Sequence, residues 1–168
     1  MNKIGIFYGS TNGSTEEVAK QLQRLFGKTK ADLIDIKDAS KVDVEKYQNL
    51  IFGTSAWGIG DMQDDWERFI YHFVDIDFGG KKIALFGLGD QEVFPESFVD
   101  GLGTLYCRIP VKESVVGFTS IEGYNFCFSI AERDGKFVGL VLDQHNQKSK
   151  SRQRIANWVD QLKLDFNI

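Results

Sequence analysis

The residues with the clearest chemical potential lie in a short polar loop near the start of the chain, from Gly9 to Thr15. The loop combines glycines, hydroxyl side chains and one amide, and it contains no charged residue. An apolar strand precedes it and an amphipathic helix follows it, so the loop can aim backbone N–H groups and hydroxyls at an anion on the positive end of the helix dipole. The predicted phosphate-binding residues are Ser10, Thr11, Asn12, Gly13, Ser14 and Thr15.

The same loop differs from two better-known nucleotide-binding motifs. A P-loop requires GxxxxGK[ST], whose Lys reaches the β- and γ-phosphates, and a dinucleotide fingerprint requires GxGxxG. Residues 9–15 match neither pattern. Because the loop lacks Lys and Arg, it suits a single terminal monophosphate better than a triphosphate with its metal. The alternative is an ordinary strand-to-helix turn that is capped by one Ser or Thr.

The length and composition favour a single globular domain over residues 1–168. The chain has 168 residues with 14 Phe, 5 Tyr and 3 Trp, which argues against disorder. The first strand begins almost at the N-terminus, and no apolar run approaches the ~18 residues of a membrane span, so we expect a cytoplasmic protein. Cys107 and Cys127 have no CxxC spacing and are predicted to be two buried thiols, with neither a disulfide nor a metal site.

The charges are distributed unevenly although the net charge is only −4. Residues 60–100 contain ten acids and three bases, whereas four bases open the last helix, at Lys148, Lys150, Arg152 and Arg154. Phosphate neutralisation needs a basic face, so nucleic acid is not expected to bind. A basic protein surface is the expected partner of the acidic region.

The order of the predicted elements indicates how these residues are positioned. Apolar runs predict strands at 4–8, 31–36, 50–54 and 82–88, and a fifth strand that is split into 114–118 and 137–142 by a loop-like stretch at 119–135. Helical spacing marks Val18, Leu22 and Leu25, then 66–73, then a helix with Pro95 and Glu96 in its first turn, and a closing helix from about residue 148.

Strands that alternate with helices predict an α/β fold with a parallel, doubly wound sheet, helices on both faces and strand order 2-1-3-4-5. In this order ligands bind beyond the carboxyl ends of the strands, at the switch point between strands 1 and 3. Three loops converge there, at 9–15, 54–60 and 89–97. The predicted binding residues of the second and third loops are Thr54, Ser55, Ala56, Trp57, Gly58, Ile59, Gly60, Gly89, Asp90, Phe94 and Ser97.

Two aromatic residues occupy equivalent places in the second and third loops. Trp57 and Phe94 each follow a strand end, so a flat aromatic ligand can be stacked between them. The alternative is that both rings only plug the end of the sheet. The Gly58–Ile59 peptide is predicted to turn its carbonyl toward or away from a ring nitrogen as that nitrogen gains or loses a proton. The backbone N–H of Asp90 is placed to meet a ring carbonyl oxygen.

With these motifs together, the chain closely resembles the long-chain flavodoxins over essentially its whole length. The matching stretches include FYGSTNGSTEEVA, the loop around Trp57 with DDWERF, GLGDQEVF, GYNF at Gly123–Phe126, KFVGLVLD and RIANWVDQL. The interruption of the fifth strand is the feature that distinguishes long from short flavodoxins. The resemblance implies a flavodoxin-like three-layer sandwich with one non-covalent FMN, its phosphate in the Ser10–Thr15 loop and its isoalloxazine between Trp57 and Phe94.

The resemblance also implies the function of a low-potential one-electron carrier and not of an enzyme. The expected partners are basic-surfaced reductase-like donors and oxidoreductase acceptors in transient complexes, and the chain is expected to be a monomer. Acids near the ring, from Asp61 to Glu92, should make the second one-electron reduction harder. The alternative is an FMN-dependent, quinone-reductase-like enzyme, which would need an open ring face. A phosphorylation receiver is disfavoured, since the first and third strands do not end in acids.

Four positions depart from the family pattern. Asn12 stands where the family usually has Thr, and Phe94 stands where it commonly has Tyr. Ser97 replaces a usual Asn, and His145 lies in LDQHNQ where the family often has LDEDNQ. An Asn side chain still offers a donor to phosphate, and a Phe ring retains stacking while losing the phenol hydroxyl. The departures at 97 and 145 change the polar edge of the ring site and the local charge.

Overall fold

The computed structural model describes residues 3–57 and 60–168 of the chain, including their side chains except those of residues 56 and 57. The strands are β1 (Ile4–Tyr8), β2 (Ala31–Asp35), β3 (Asn49–Trp57), β4 (Asp61–Met62), β5 (Lys82–Leu88), β6 (Val115–Val116), β7 (Thr119–Ser120), β8 (Glu132–Arg133), β9 (Lys136–Phe137) and β10 (Leu140–Leu142). The α-helices are α1 (Ser14–Phe26), α2 (Lys41–Glu45), α3 (Asp64–Phe69), α4 (Asp100–Arg108) and α5 (Lys148–Asp165).

Five parallel strands form the main sheet in the order β2-β1-β3-β5-β10, which confirms the predicted order 2-1-3-4-5. The fifth strand is split as predicted, because two segments pair in parallel with β5, but both are shorter than the predicted 114–118 and 137–142, and Phe137 pairs in β9 instead. Val115 lies beside Ile83 near the start of β5, and Leu140 lies beside Phe86 nearer its end. The short strand β4 adds an antiparallel pairing at the end of β3.

The sheet is covered by helices on both faces, and two hydrophobic clusters fill the space between the layers. All five residues of β1 are buried, as expected for a strand that is covered on both sides. Ile4 and Ile6 pack in the cluster that contains residues of α1 and α5, whereas Phe7 packs in the cluster that contains residues of α3 and α4. This alternation follows from the two-residue period of a strand.

The first helix buries a slightly different face from the one predicted. Val18 and Leu22 are buried, but Leu25 is 47% exposed and Phe26 takes its place in the core. The larger ring lies at the spacing i, i+4 from Leu22, which continues the apolar stripe equally well. Helix α2 was not predicted, and the α-helix expected at 66–73 ends at Phe69, after which the chain continues as a 3-10 helix over Ile70–Asp75.

The helix predicted to contain Pro95 and Glu96 in its first turn begins later, at Asp100. The prediction was wrong because the Pro95 carbonyl oxygen accepts hydrogen bonds from the backbone N–H groups of Cys127 and Phe128, at 2.7 and 3.0 Å. Those donors come from a distant part of the chain. The Pro95 carbonyl oxygen is therefore committed to tertiary hydrogen bonds and not to the first turn of a helix.

The stretch at 119–135 was predicted to be loop-like, but it contains strand structure. β7, β8 and β9 form a small antiparallel sheet in the order β7-β9-β8. The prediction that both cysteines are buried is also wrong, since Cys107 and Cys127 are exposed and free. Cys107 lies on the outer face of α4, and Cys127 lies in the inserted segment. Among the described residues, no helix has the length and apolarity needed to cross a membrane.

Candidate functional site

The hydroxyl-rich loop lies between β1 and α1, and its conformation is set by its own side chains. Gly13 precedes the helix with a φ of 88°, in the left-handed region that glycine adopts without steric cost. The Ser10 hydroxyl accepts a hydrogen bond from the Gly13 N–H at 3.0 Å, and Asn12 Oδ1 accepts one from the Ser14 N–H at 3.1 Å. The loop thus gathers amides and hydroxyls at the start of the 13-residue helix α1.

Thr15 contributes a buried hydroxyl group near this loop. Its side chain is buried, yet among the described residues no group is hydrogen-bonded to its hydroxyl oxygen Oγ1. A buried hydroxyl without a partner costs on the order of 1–3 kcal/mol. A phosphate oxygen at the helix N-terminus would supply the missing acceptor, so the donor set of the loop fits a phosphate group.

The second loop connects β3 to α3 and is fastened to the first loop by Gln63. Gln63 Nε2 donates to the Thr11 hydroxyl at 3.3 Å, and Gln63 Oε1 caps α3 by accepting from the N–H groups of Asp65 and Trp66. Thr54 is buried, and Gly60 has a φ of 81°. The side chains of Ala56 and Trp57, together with Gly58 and Ile59, lie outside the described residues, so their predicted roles remain predictions.

The third loop runs from Gly89 to the start of α4. Asp90 organises its first turn, since Asp90 Oδ1 accepts from the N–H groups of Glu92 and Val93 at 3.1 and 3.0 Å. The Phe94 N–H donates to the Asp90 carbonyl oxygen at 2.9 Å, which places the half-buried Phe94 ring beside the loop's polar start. Val99 ends the loop with a φ of 48°, a conformation that is strained for a β-branched residue.

These three loops enclose one cavity of about 310 Å³ at the carboxyl ends of the strands, a volume within the range of small-molecule sites. It is lined by residues from each predicted loop, as expected for the switch point of this fold. Among the residues whose side chains are described, seven predicted ones line it: Asn12, Ser14, Ser55, Gly89, Asp90, Phe94 and Ser97. Six further predicted residues do not line it: Ser10, Thr11 and Gly13 of the first loop, Thr15 in the first turn of α1, Thr54, which belongs to the longer strand β3 and not to a loop, and Gly60.

Several contributors to this cavity were not among the predicted site residues. Leu88, Val99, Gln144 and His145 also line it. Leu88 was predicted to belong to a buried strand. The loop after β10 was noted only because His145 departs from the flavodoxin pattern. That loop reaches the cavity because β10 is the strand next to β5, so their carboxyl ends share one edge. Gln63 and Asp143 support the loops from buried positions.

Two carboxylates near the cavity have shifted pKa values. Burial raises the pKa of Asp100, although the N–H of Ile130 donates to it at 2.9 Å and partly opposes the shift. For Asp143 burial also acts upward, but hydrogen bonds from Asn146 and Gln91 outweigh burial, so its pKa is lowered. Asp143 therefore remains ionised at neutral pH, directly before Gln144 and His145, which line the cavity.

Comparison with known proteins identifies the family. A family model described as Flavodoxin matches residues 6–158. The chain is 43% identical over 167 residues to a flavodoxin of Nostoc sp., with 99% of this chain and 98% of that protein covered. A flavodoxin of Picosynechococcus sp. is 41% identical over 172 residues, with both chains fully covered.

A solved structure agrees with this assignment at the level of the fold and the chain length. The flavodoxin of Fusobacterium nucleatum, which was crystallised bound to flavin mononucleotide, superposes with a TM-score of 0.92 at 34% identity. The superposition covers 98% of this chain and 99% of that one. The resemblance inferred from the motifs is therefore confirmed, and the chain belongs to the flavodoxin family.

Proposed function

We propose that the chain carries single electrons on a non-covalently bound FMN between redox partner proteins. The main observation behind this proposal is that the uncharged, hydroxyl-rich first loop and the half-buried ring of Phe94 line the same cavity. A monophosphate and a flat ring are the two ends of FMN. Family membership supports the same function, because flavodoxins are electron carriers and not enzymes.

The phosphate of FMN is assigned to the first loop. Ser10, Thr11, Asn12, Ser14 and Thr15 would offer hydroxyl or amide groups, and Gly13 would leave its backbone approachable, since no atom lies within 4 Å of the position a Cβ would take. The absence of Lys and Arg in the loop leaves the phosphate charge uncompensated there. The dipole and amides of α1 then provide the main favourable interaction.

The ring of FMN is assigned to the second and third loops. Phe94 would stack on one face, and Ser55, Asp90 and Ser97 would supply polar groups at the ring edge. We also propose that Trp57 stacks on the other face of the ring. The Gly58–Ile59 peptide would turn its carbonyl toward or away from a ring nitrogen. The bound flavin supplies the one-electron chemistry, and the protein's residues orient it and limit its contact with water.

The protein's charges favour a low potential. Asp90 lines the cavity, Glu92 lies two residues further along the same loop, and Asp143 adds a buried negative charge. A unit negative charge ~10 Å from a ring that becomes anionic disfavours reduction by on the order of 1–2 kcal/mol at an effective dielectric of ~20. Several such charges together oppose the second electron more than the first.

The partners that suit this surface are basic-surfaced proteins, namely reductase-like donors and oxidoreductase acceptors. Asp61, Asp64 and Glu92 are exposed and lie in the second and third loops or at the start of α3, so they can steer a basic surface toward the cavity. We propose that the chain acts as a monomer with one domain over residues 1–168. The cytoplasm is the proposed location, since two exposed free thiols suit a reducing compartment.

The FMN-dependent quinone-reductase alternative is not favoured by the family, and one experiment separates the two functions. The purified protein, reconstituted with FMN, should contain about one flavin per chain that is released by acid precipitation. It should transfer electrons from a flavodoxin reductase to an electron acceptor, and it should not oxidise NADH or NADPH by itself. A preparation that binds no FMN would refute the proposal, and rapid pyridine-nucleotide oxidation by the isolated protein would favour the enzyme.

A further inference from the structure

Asp143 follows β10 and is completely buried, yet its carboxylate is surrounded by donors. Gln91 donates to Asp143 Oδ2 through its backbone N–H at 3.1 Å and through its side-chain Nε2 at 2.7 Å. The N–H groups of His145 and Asn146 donate to Asp143 Oδ1 at 3.1 and 3.0 Å. Asn146 Nδ2 adds a contact of 2.9 Å to Oδ2. Donors from two separate loops therefore converge on this one carboxylate.

The network extends from Asp143 to the residues that line the cavity. Asn146 Nδ2 also lies 2.8 Å from Asp90 Oδ1, the oxygen that organises the first turn of the third loop. Gln91 Oε1 accepts a hydrogen bond from the Asn125 N–H at 2.6 Å, so the inserted segment joins the same network. This network therefore connects three segments around the buried carboxylate of Asp143: the third loop, the loop after β10 and the inserted segment.

A buried carboxylate needs either a counter-ion or several hydrogen-bond donors. Within residues 3–57 and 60–168, no Lys or Arg forms an ion pair with Asp143. Burying an ion costs several kcal/mol unless hydrogen bonds replace its hydration. Here the replacement donors come mainly from loops that reach the cavity, since Asp90, Gln144 and His145 line it. Ionised Asp143 therefore stabilises the loops in one arrangement, because each donor loses its partner when its loop moves away.

We propose that Asp143 is a positioning residue that holds the third loop, with Asp90 and Phe94, in the geometry that binds the flavin ring. This inference rests on the proposed FMN site, but it concerns how the ring end is held and not whether FMN binds. Loss of this hydrogen-bond network should weaken binding of the flavin ring and leave the interaction between the phosphate and the first loop unchanged.

The test compares FMN with riboflavin, which lacks the phosphate. Asp143→Asn keeps the shape but turns an N–H₂ group toward donors, so some hydrogen bonds are lost. Asn146→Ala removes an exposed side chain that links Asp143 to Asp90. In both variants we expect the dissociation constants of FMN and riboflavin to rise by the same factor, about tenfold. The visible circular dichroism of the bound flavin should also change, because it reports how the ring is seated.

Two controls separate this role from general destabilisation. Asp32→Asn removes a partly buried, hydrogen-bonded carboxylate of β2 that contacts Lys3 and Tyr47, away from the cavity. It should lower stability without changing either constant. Thr15→Val, in the first loop, should weaken FMN and leave riboflavin unchanged. If Asp143→Asn does not fold, Asn146→Ala alone decides the question.

The outcomes are distinguishable. An equal rise of both constants, with the apoprotein folded by near-ultraviolet circular dichroism, supports the positioning role. Unchanged constants for both ligands, or a rise for FMN alone, would overturn it. Failure of the wild-type protein to bind either ligand would instead refute the proposed FMN function, on which the inference rests.

Discussion

The side-chain amide of Gln63 donates a hydrogen bond to the hydroxyl of Thr11, with 3.3 Å between Nε2 and Oγ1. The same side chain caps α3 through its oxygen, so one buried residue joins the first loop to the helix that follows the second loop. Gly9 lies beside it, and a Cβ at that position would clash with Gln63 Oε1 and lie 2.6 Å from Trp66 Cδ1. The side chain of Gln63 therefore connects the loop assigned to the phosphate with the helix that follows the loop assigned to the flavin ring.

Replacing Gln63 by Leu should affect both stability and ligand binding. The variant loses the cap of α3, which is worth about 1 kcal/mol of unfolding free energy, and leaves the N–H of the buried Trp66 without its acceptor. It also releases Thr11, so FMN affinity should fall. Urea unfolding and FMN titration measure the two effects. The matched control is Gln153→Leu, an exposed Gln of α5, and equal behaviour of the two variants would contradict the linking role.

Replacing Thr15 by Val should have opposite effects on the empty and the loaded protein. The apoprotein should gain about 1 kcal/mol of unfolding free energy, because the variant removes a buried hydroxyl that has no hydrogen-bond partner among the described residues. The FMN dissociation constant should rise roughly tenfold, since the hydroxyl no longer donates to phosphate. Thr29→Val, at an exposed turn, is the control. A less stable apoprotein together with unchanged FMN affinity would show that Thr15 does not face the ligand.

Tyr47 should make the stability of the apoprotein depend on pH in the alkaline range. Burial, reinforced by the hydrogen bond its hydroxyl donates to Asp32 at 2.9 Å, raises the pKa of Tyr47 from 10.0 to about 12. The unfolded chain therefore releases this proton first, and the stability contribution is complete below pH 10 and lost as the pH rises through about 12. The advantage of wild type over Tyr47→Phe in urea unfolding should shrink across that window. A pH-independent difference would contradict the shift, and Tyr71→Phe serves as an exposed control.

Reversing a charge near the cavity should slow reduction by a basic partner. Glu92→Lys changes an exposed acid of the third loop, whereas Glu113→Lys makes the same change in an exposed residue that precedes β6, near the start of β5 and so at the opposite end of the strands. The first variant should be reduced more slowly by a flavodoxin reductase at low salt, and the difference should diminish as ionic strength rises. Stopped-flow rates over a salt series measure this. If both variants are reduced equally slowly, the effect depends on the net charge of the protein and not on a defined docking surface near the cavity.

Much of the fold was predictable because short-range patterns determine it. The apolar runs in β1 and β5, and their alternation with helices, indicated a parallel sheet that is covered on both faces, and the polar loop before α1 indicated the proposed phosphate site. The start of α4 was not predictable, since it depends on hydrogen bonds between Pro95 and residues some thirty positions away. Strand structure at 119–135 was missed for the same reason, because pairs such as Thr119 with Phe137 form only in the folded chain.

The candidate site was predicted least well where polar residues become buried. Gln63 and Asp143 have no apolar pattern of their own, and their burial results from loops that meet in the folded protein. A sequence signal existed for Gln63, which directly precedes two acids of the first turn of α3 and so occupies a capping position. For Asp143 the available signal was its place directly after an apolar strand, where parallel strands present ligands.

The most direct test of the electron-carrier function is a potentiometric titration of the FMN-loaded protein under anaerobic conditions. We expect two one-electron steps that are well separated in potential, with the second step at the lower potential because acidic residues lie at and near the site. Two overlapping steps, in which both electrons enter at one potential, would contradict a one-electron carrier that is tuned by these residues.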